Sequence, residues 1–187
     1  MNEKMDEKTI EKPIEIKRIT EATKNDINIP NEYFTLWGRM IPTYNGSNWA
    51  YTIERFEENS IREMVFPDED YDFHALTSSF FVGAYNELGK CVGLAIYEQA
   101  PFKYMYLKDL KVSVDYRGRS IGQLLIDEGK KIAAENGYKG IYTIGQDNNL
   151  SACLFYIKSG FMIGGFNTQI YAGTNQADKS NIYFYLE

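Results

Sequence analysis

The sequence predicts a mixed α/β domain. Three observations carry that reading. Several short segments alternate apolar and polar residues. Two longer ones place apolar residues three and four apart. In chain order these elements run strand, helices, three strands, helix, strand, helix, two strands, with no repeat or linker to divide them.

Taken in order, residues 1–12 are a mixed-charge stretch that buries too little apolar surface to offset the entropy of ordering. They are expected to form a flexible tail, leaving one domain over 13–187. "PIEIKRIT" alternates and predicts a first strand. A helical or irregular stretch is expected through "NEYFTLWGRMI" and "WAYTIERFEENSI". "FPDEDYDFHAL" reads as a loop carrying Asp68, Glu69, Asp70 and Asp72. "SFFVGAYN", the turn "ELGK" and "CVGLAIYEQ" predict a hairpin. "YMYLKDLKVSV" predicts a longer strand, with Leu110, Val112 and Val114 on one face and Asp109 and Lys111 on the other. The helix after it uses Ile121, Leu124, Leu125 and Ile132 as its apolar face and stops at Gly137. "KGIYTIGQ" is a strand, and "NNLSACLFYIKSG" a short helix between asparagines and Gly160. "FMIGGFNTQIY" and "NIYFYLE" are the last two strands.

Composition narrows the class. Of 187 residues, 44% are hydrophobic and 25% charged, which is ordinary for a soluble globular chain. The formal net charge of −6 argues against nucleic acid, whose phosphates call for Lys and Arg, and suits a cationic ligand. Fifteen tyrosines and 11 phenylalanines exceed what a core alone requires, and tyrosine can also line a pocket. Cys91, Cys153 and the lone His74 form no zinc pattern, so no metal is expected. The N-terminal residues lack the apolar region of a secretory signal and no run reaches membrane-spanning length, so a cytoplasmic protein with no membrane partner is expected.

The chemistry concentrates at Arg117-Gly118-Arg119-Ser120-Ile121-Gly122, which follows a strand and opens a helix. Such a turn gathers backbone N–H groups on one spot, two arginines add charge-assisted donors, and glycines allow close approach; the arrangement suits a pyrophosphate. No Lys-Ser or Lys-Thr follows the glycines, so the nucleotide P-loop pattern is excluded. Downstream, Asn149, Ala152 and Tyr156 stand three and four apart, with Ala152 and Tyr156 on one helical face.

Together these two segments resemble the GCN5-related N-acetyltransferase (GNAT) superfamily over roughly residues 14–187. Its acetyl-CoA pattern falls on Arg117, Ser120 and Gly122, with Ser120 in place of the usual glycine. Its later asparagine, alanine and tyrosine match Asn149, Ala152 and Tyr156. A narrower resemblance, over roughly 78–187, is to the streptothricin acetyltransferases. It rests on "TIGQDNNLSACLFYIKSGFMIGGFNTQIY", "KSNIYFYLE", "SFFVGAYNELGKCVGLAIYEQ" and "LKDLKVSVDYRGR".

The resemblance implies a mixed, mostly antiparallel central sheet flanked by helices, and acetyl-CoA as co-substrate. It implies that the pyrophosphate sits on the amides of Arg117, Gly118, Arg119, Ser120, Ile121 and Gly122. The pantetheine arm would lie along Leu110, Lys111 and Val112, beside Asn149, and Tyr156 would protonate the departing sulfur. The base is left open between Asp109 and Glu98, either of which can instead attract the cation. The implied partner is a small cationic amine, the β-lysine part of a streptothricin-type antibiotic, whose acetylation gives resistance. The acceptor could also be a polyamine, a peptide N-terminus or a protein lysine; a non-catalytic acyl-CoA sensor is a third reading, motivated by Ser120. Assembly is left open between a monomer and a homodimer.

Overall fold

The computed structural model describes residues 13–187; the expected N-terminal tail lies outside the described residues. The strands, in chain order, are β1 (Glu15–Arg18), β2 (Phe34–Leu36), β3 (Gly38–Tyr44), β4 (Trp49–Arg55), β5 (Arg62–Met64), β6 (Ser79–Tyr85), β7 (Cys91–Glu98), β8 (Tyr104–Val112), β9 (Gly140–Gln146), β10 (Met162–Asn167) and β11 (Asn181–Leu186). Two α-helices, α1 (Ile121–Glu135) and α2 (Leu150–Lys158), flank β9 in sequence. A 3-10 segment, Glu21–Asn28, follows β1.

Seven strands form one sheet in the order β1-β6-β7-β8-β9-β11-β10. Every pairing in it is antiparallel except β8 with β9. The exception follows from connectivity: β8 and β9 are joined through α1, and a helical crossover returns the chain in the same direction, which a tight hairpin cannot do. The mixed, mostly antiparallel sheet expected from the sequence is therefore the one observed.

Burial alternates along β9, β11 and the first four residues of β8, so each has one face against the core there. On one side of the sheet Leu125, Ile126, Ile132 and Ala133 of α1 pack with Val82, Ala95, Tyr97, Met105 and Ile141. On the other, Ile27 of the 3-10 segment covers Phe81, Leu94 and Ile96, with Tyr71, Phe73 and Leu76 closing the edge. β7 touches both layers, and its run of seven buried residues reflects this.

Three expectations need correction. Residues 34–64 are not helical or irregular but form two small antiparallel sheets, β2 with β5 and the hairpin β3–β4. β4 places Trp49, Tyr51 and Ile53 at alternate positions, a strand signal that the helical or irregular reading passes over, although six of its seven residues are exposed. Val114 is not on the β8 face: the strand ends at Val112, and Val114 lies in a 3-10 turn with 56% of its surface exposed. Leu124 lies on the outer side of α1, where Ile126 and Ala133 complete the buried stripe instead.

Among the described residues, no helix is long and apolar enough to cross a membrane.

Candidate active site

The parallel pairing of β8 and β9 is short. It runs through Tyr104–Gly140, Met105–Ile141 and Tyr106–Tyr142, and then stops, although β8 continues to Val112 and β9 to Gln146. Two causes are visible. β8 carries a bulge, because Ile96 pairs with Asp109 and Tyr97 with Leu107, leaving Lys108 as the extra residue; a bulge bends the strand that holds it. At the fork, the Thr143 hydroxyl donates to the Leu107 carbonyl at 2.9 Å, so a side chain replaces the next rung of the ladder.

Beyond the fork the strands enclose a cleft of about 390 Å³ lined by Lys108 to Lys111, by Thr143 to Gln146, and by Asn149, Ala152 and Tyr156 of the second helix. β8 is hydrogen-bonded to β7 along its other edge, so alternate backbone N–H and C=O groups of Leu110, Lys111 and Val112 face the gap. An extended ligand can pair there as an added strand.

The Arg117–Gly122 turn follows the end of β8, and none of its residues lines this cleft. Gly118 has φ +76°, in the region that glycine enters without penalty. Ser120, at φ +58°, is the only residue other than glycine with positive φ among the described residues. It occupies the N-cap position of α1, but its side chain caps nothing. The first intrahelical bond there is Leu124 N–H to the Ser120 carbonyl, so the N–H groups of Ile121, Gly122 and Gln123 have no intrahelical acceptor. Gly122 is small for a second reason: a Cβ there would lie 2.8 Å from the Phe155 ring of α2.

The arginines of the turn are differently occupied. Arg117 donates from Nε to the Val112 carbonyl and from Nη1 to the Tyr33 carbonyl, both at 3.0 Å. It thereby ties the turn to the end of β8 and to the 31–33 segment. Glu32 in that segment accepts the Val114 N–H. The Arg119 guanidinium lies over the Tyr116 ring, 5.2 Å from its centroid.

Tyr156 occupies the apex of the fork. Its ring packs among Phe155, Phe161 and Phe184, with centroids 5.3–5.6 Å away. Burial pushes its phenol up to about 12, against a smaller opposing hydrogen bond with Thr143. It stays protonated at neutral pH. Asn149 has its side-chain oxygen on the Ala152 N–H at 3.2 Å, so it caps α2 while also lining the cleft.

The two acidic candidates differ. Glu98 is held by the Lys108 ammonium at 2.6 Å. Asp109 lies 3.1 Å from Lys111 Nζ, yet its Oδ2 is buried and makes no hydrogen bond of good geometry. Burial raises the Asp109 carboxyl above its ordinary value, and Lys111 only partly opposes this. Lys111 is shared: it also donates to Glu69 at 2.8 Å and to the Ile29 carbonyl at 3.3 Å.

Glu69 was visible in the sequence only as one of four loop acids. The structure brings it into the cleft wall, steadied by Asn31 Nδ2 at 2.9 Å. Asp68 accepts the Asn31 N–H at 2.6 Å, and Asp72 accepts the His74 N–H at 2.8 Å. The Asp72 contact is local, but no spacing rule could have found those of Asp68 and Glu69, which join the loop to residues some 40 positions away in sequence. His74 stays at the surface, 63% exposed beside Glu21.

Comparison with known proteins agrees with this geometry. The family model described as the acetyltransferase (GNAT) family matches residues 44–161. Streptothricin acetyltransferase A of Bacillus subtilis (strain 168) is 32% identical over 172 residues, covering 92% of this chain and 99% of the relative. Among solved structures, a provisionally assigned streptothricin acetyltransferase from Bacillus anthracis, in complex with acetyl coenzyme A, aligns with a TM-score of 0.82 and 26% identity over 94% of this chain and 98% of its own. A nourseothricin acetyltransferase shares the fold at a TM-score of 0.74 and 20% identity, over 92% and 97% of the two chains.

Proposed function

The chain belongs to the acetyltransferase (GNAT) family, and on that premise we propose that it transfers an acetyl group from acetyl-CoA to a primary amine of a streptothricin-type antibiotic, conferring resistance. The observation that carries the reading is the fork: two parallel strands that part after three paired residues, with a phenol lining the cleft between them and an uncapped helix start following the end of β8.

In this reading the pyrophosphate lies on the free N–H groups of the Gly118–Gln123 turn, where the α1 dipole also favours an anion. The pantetheine arm pairs with the open edge of Leu110, Lys111 and Val112. Arg117 acts at one remove, fixing the turn through two main-chain carbonyls. A β8 N–H at the bulge receives the thioester carbonyl and stabilises the charge that develops on its oxygen.

A lysine-like amine is protonated in water and must lose a proton before it can attack. Both acids are ion-paired, but Asp109 is the better placed of the two, since it lines the cleft and its partner Lys111 is shared with Glu69, whereas Glu98, held by Lys108, lies outside the lining. Its raised affinity for protons suits it to the role. Glu69, Asp109 and Lys111 together carry one excess negative charge, which draws the cation in. As the thiolate leaves, Tyr156 supplies its proton.

Mass spectrometry of streptothricin incubated with the protein and acetyl-CoA tests the proposal. A single added acetyl group on the β-lysine portion is expected. Unmodified antibiotic, alongside acetylation of a polyamine or a peptide, would overturn the choice of acceptor.

A further inference from the structure

The front of the sheet is covered unevenly. The 3-10 segment Glu21–Asn28 and the 71–76 loop shield β6 and β7, but the outward residues of β8, β9 and β11 are left half-exposed. Those residues are largely tyrosines. Register places Glu98 of β7 opposite Tyr106, Tyr106 opposite Tyr142, Tyr142 opposite Tyr185, and Tyr185 opposite Met162 of β10. The result is one straight row across five adjacent strands. Tyr106 and Tyr142 stack with centroids 4.9 Å apart, Tyr142 and Tyr185 with centroids 5.7 Å apart, and Tyr104 meets Tyr185 edge-on at 5.0 Å.

The sequence makes room for this row. Gly164 is the extra residue of a bulge in β10, and a Cβ there would fall 2.4 Å from Cδ2 of Tyr185. The "GGF" segment thus lets that ring lie against the strand. Four strand spacings of about 4.8 Å give a row roughly 19 Å long. Its acidic end opens into the cleft, because Tyr106 lines both. Around that end Glu98, Asp109 and Glu69 face Lys108 and Lys111, leaving one carboxylate in excess. Met162 closes the far end, 63% exposed.

We infer that the row Tyr106–Tyr142–Tyr185 is an acceptor subsite that binds the cationic body of the substrate remote from the reacting amine, seating its charged or planar groups on the ring surface that the stacked tyrosines leave half-exposed. The inference rests on the acetyl-transfer reading of the cleft. The argument for an organic cation is charge complementarity. Tyrosine π-faces attract ammonium and guanidinium groups, and the neighbouring carboxylates exceed the ammoniums. The row's length also discriminates. A small amine occupies only the cleft, while an extended polycation reaches along the sheet.

The test uses Tyr142→Leu and Tyr185→Leu, which keep apolar bulk but remove the aromatic face, with Tyr142→Phe as the conservative control. Each leucine variant is expected to raise the KM for streptothricin about tenfold. Its kcat, its KM for acetyl-CoA and its KM for β-lysine amide should be unchanged, and Tyr142→Phe should behave as wild type. If the streptothricin KM does not move while wild type acetylates the antibiotic, the subsite is overturned and the proposed function stands. An equal rise for streptothricin and β-lysine amide would mean a general disturbance of the site and also overturn it. Titration calorimetry separates the two readings. Wild type that binds streptothricin without acetylating it, with binding weakened by both leucine variants, supports the row and rejects the reaction. Wild type that does not bind it rejects both. Sedimentation velocity covers the remaining occupant: a dimer split by Tyr185→Leu, with streptothricin KM unchanged, would make the row a subunit contact and overturn the inference.

Discussion

The two α-helices follow the two strands that wall the cleft, yet their starts are built in opposite ways. At α2, Asn149 folds its side-chain oxygen onto the Ala152 N–H and closes the helix end from within. At α1, Ser120 sits in the left-handed region with no side-chain cap, and Gly118 and Gly122 leave the approach bare. Orphan N–H groups at a helix start need a partner from somewhere. A closed start serves to hold its helix and what the helix carries, here Tyr156. An open start beside an unpaired strand edge is made for an anion. Under the proposed function the labour divides accordingly: α1 would bind the cofactor and α2 hold the proton donor.

Breaking the chemical side of that division should give the largest effect. Tyr156→Phe removes the proton donor but keeps the ring among its three phenylalanines, so kcat should fall on the order of 10²–10⁴-fold while acetyl-CoA affinity is unchanged. Stopped-flow turnover and calorimetric CoA binding check the two halves separately.

The β8 wall between the helices comes next. Asp109→Asn should lower kcat/KM about a hundredfold at neutral pH and remove the acid limb of its pH profile. In the wild type that limb should lie above the ordinary carboxylate range, because burial raises the Asp109 carboxyl. The sign for stability runs the other way. A raised carboxyl favours the folded state below its unfolded pKa, and that contribution is lost as pH rises through the folded pKa. Thermal melts should therefore show the asparagine variant gaining stability relative to wild type above that window.

Smaller effects sharpen the contrast between the helix starts. Asn149→Ala should cost about 1 kcal/mol, the usual worth of an N-cap, seen as a shifted urea midpoint. Ser120→Gly should do the reverse and add roughly 0.5 kcal/mol, because glycine relieves the left-handed strain but loses more chain entropy. Acetyl-CoA affinity should survive the serine change, since the main-chain N–H groups remain.

How much of this was legible in the sequence follows from how local each feature is. The Arg117–Gly122 turn, both helices and the strands from Ser79 onward are set by residues near one another in the chain, and their order was readable, although β8 stops at Val112 and β10 at Asn167, short of the expected ends. Hairpin β3–β4 was not. Pro42 sits inside β3, as it can only on a strand without full neighbours, and argued against a strand there, while the alternation of Trp49, Tyr51 and Ile53 in β4 was passed over. The candidate site splits the same way. The turn stood out from its place between strand and helix and Tyr156 from the family resemblance, but the fork depends on a bulge and on Thr143 reaching Leu107 from 36 residues away. Arg117 shows the limit from the other side. Its type suggested a phosphate ligand, whereas its guanidinium is spent on the carbonyls of Val112 and Tyr33. The tyrosine surplus was visible as a count; only strand register turned it into a row.

The division between the two helix starts can be read amide by amide. In a ¹⁵N-resolved NMR titration with coenzyme A, the backbone signals of Gly118, Ser120, Ile121 and Gly122 should move with ligand, while those of Ser151 and Ala152 at the capped start stay close to their positions. Shifts confined to the α2 start, or saturation of binding with the Gly118–Gly122 amides unmoved, would contradict the account.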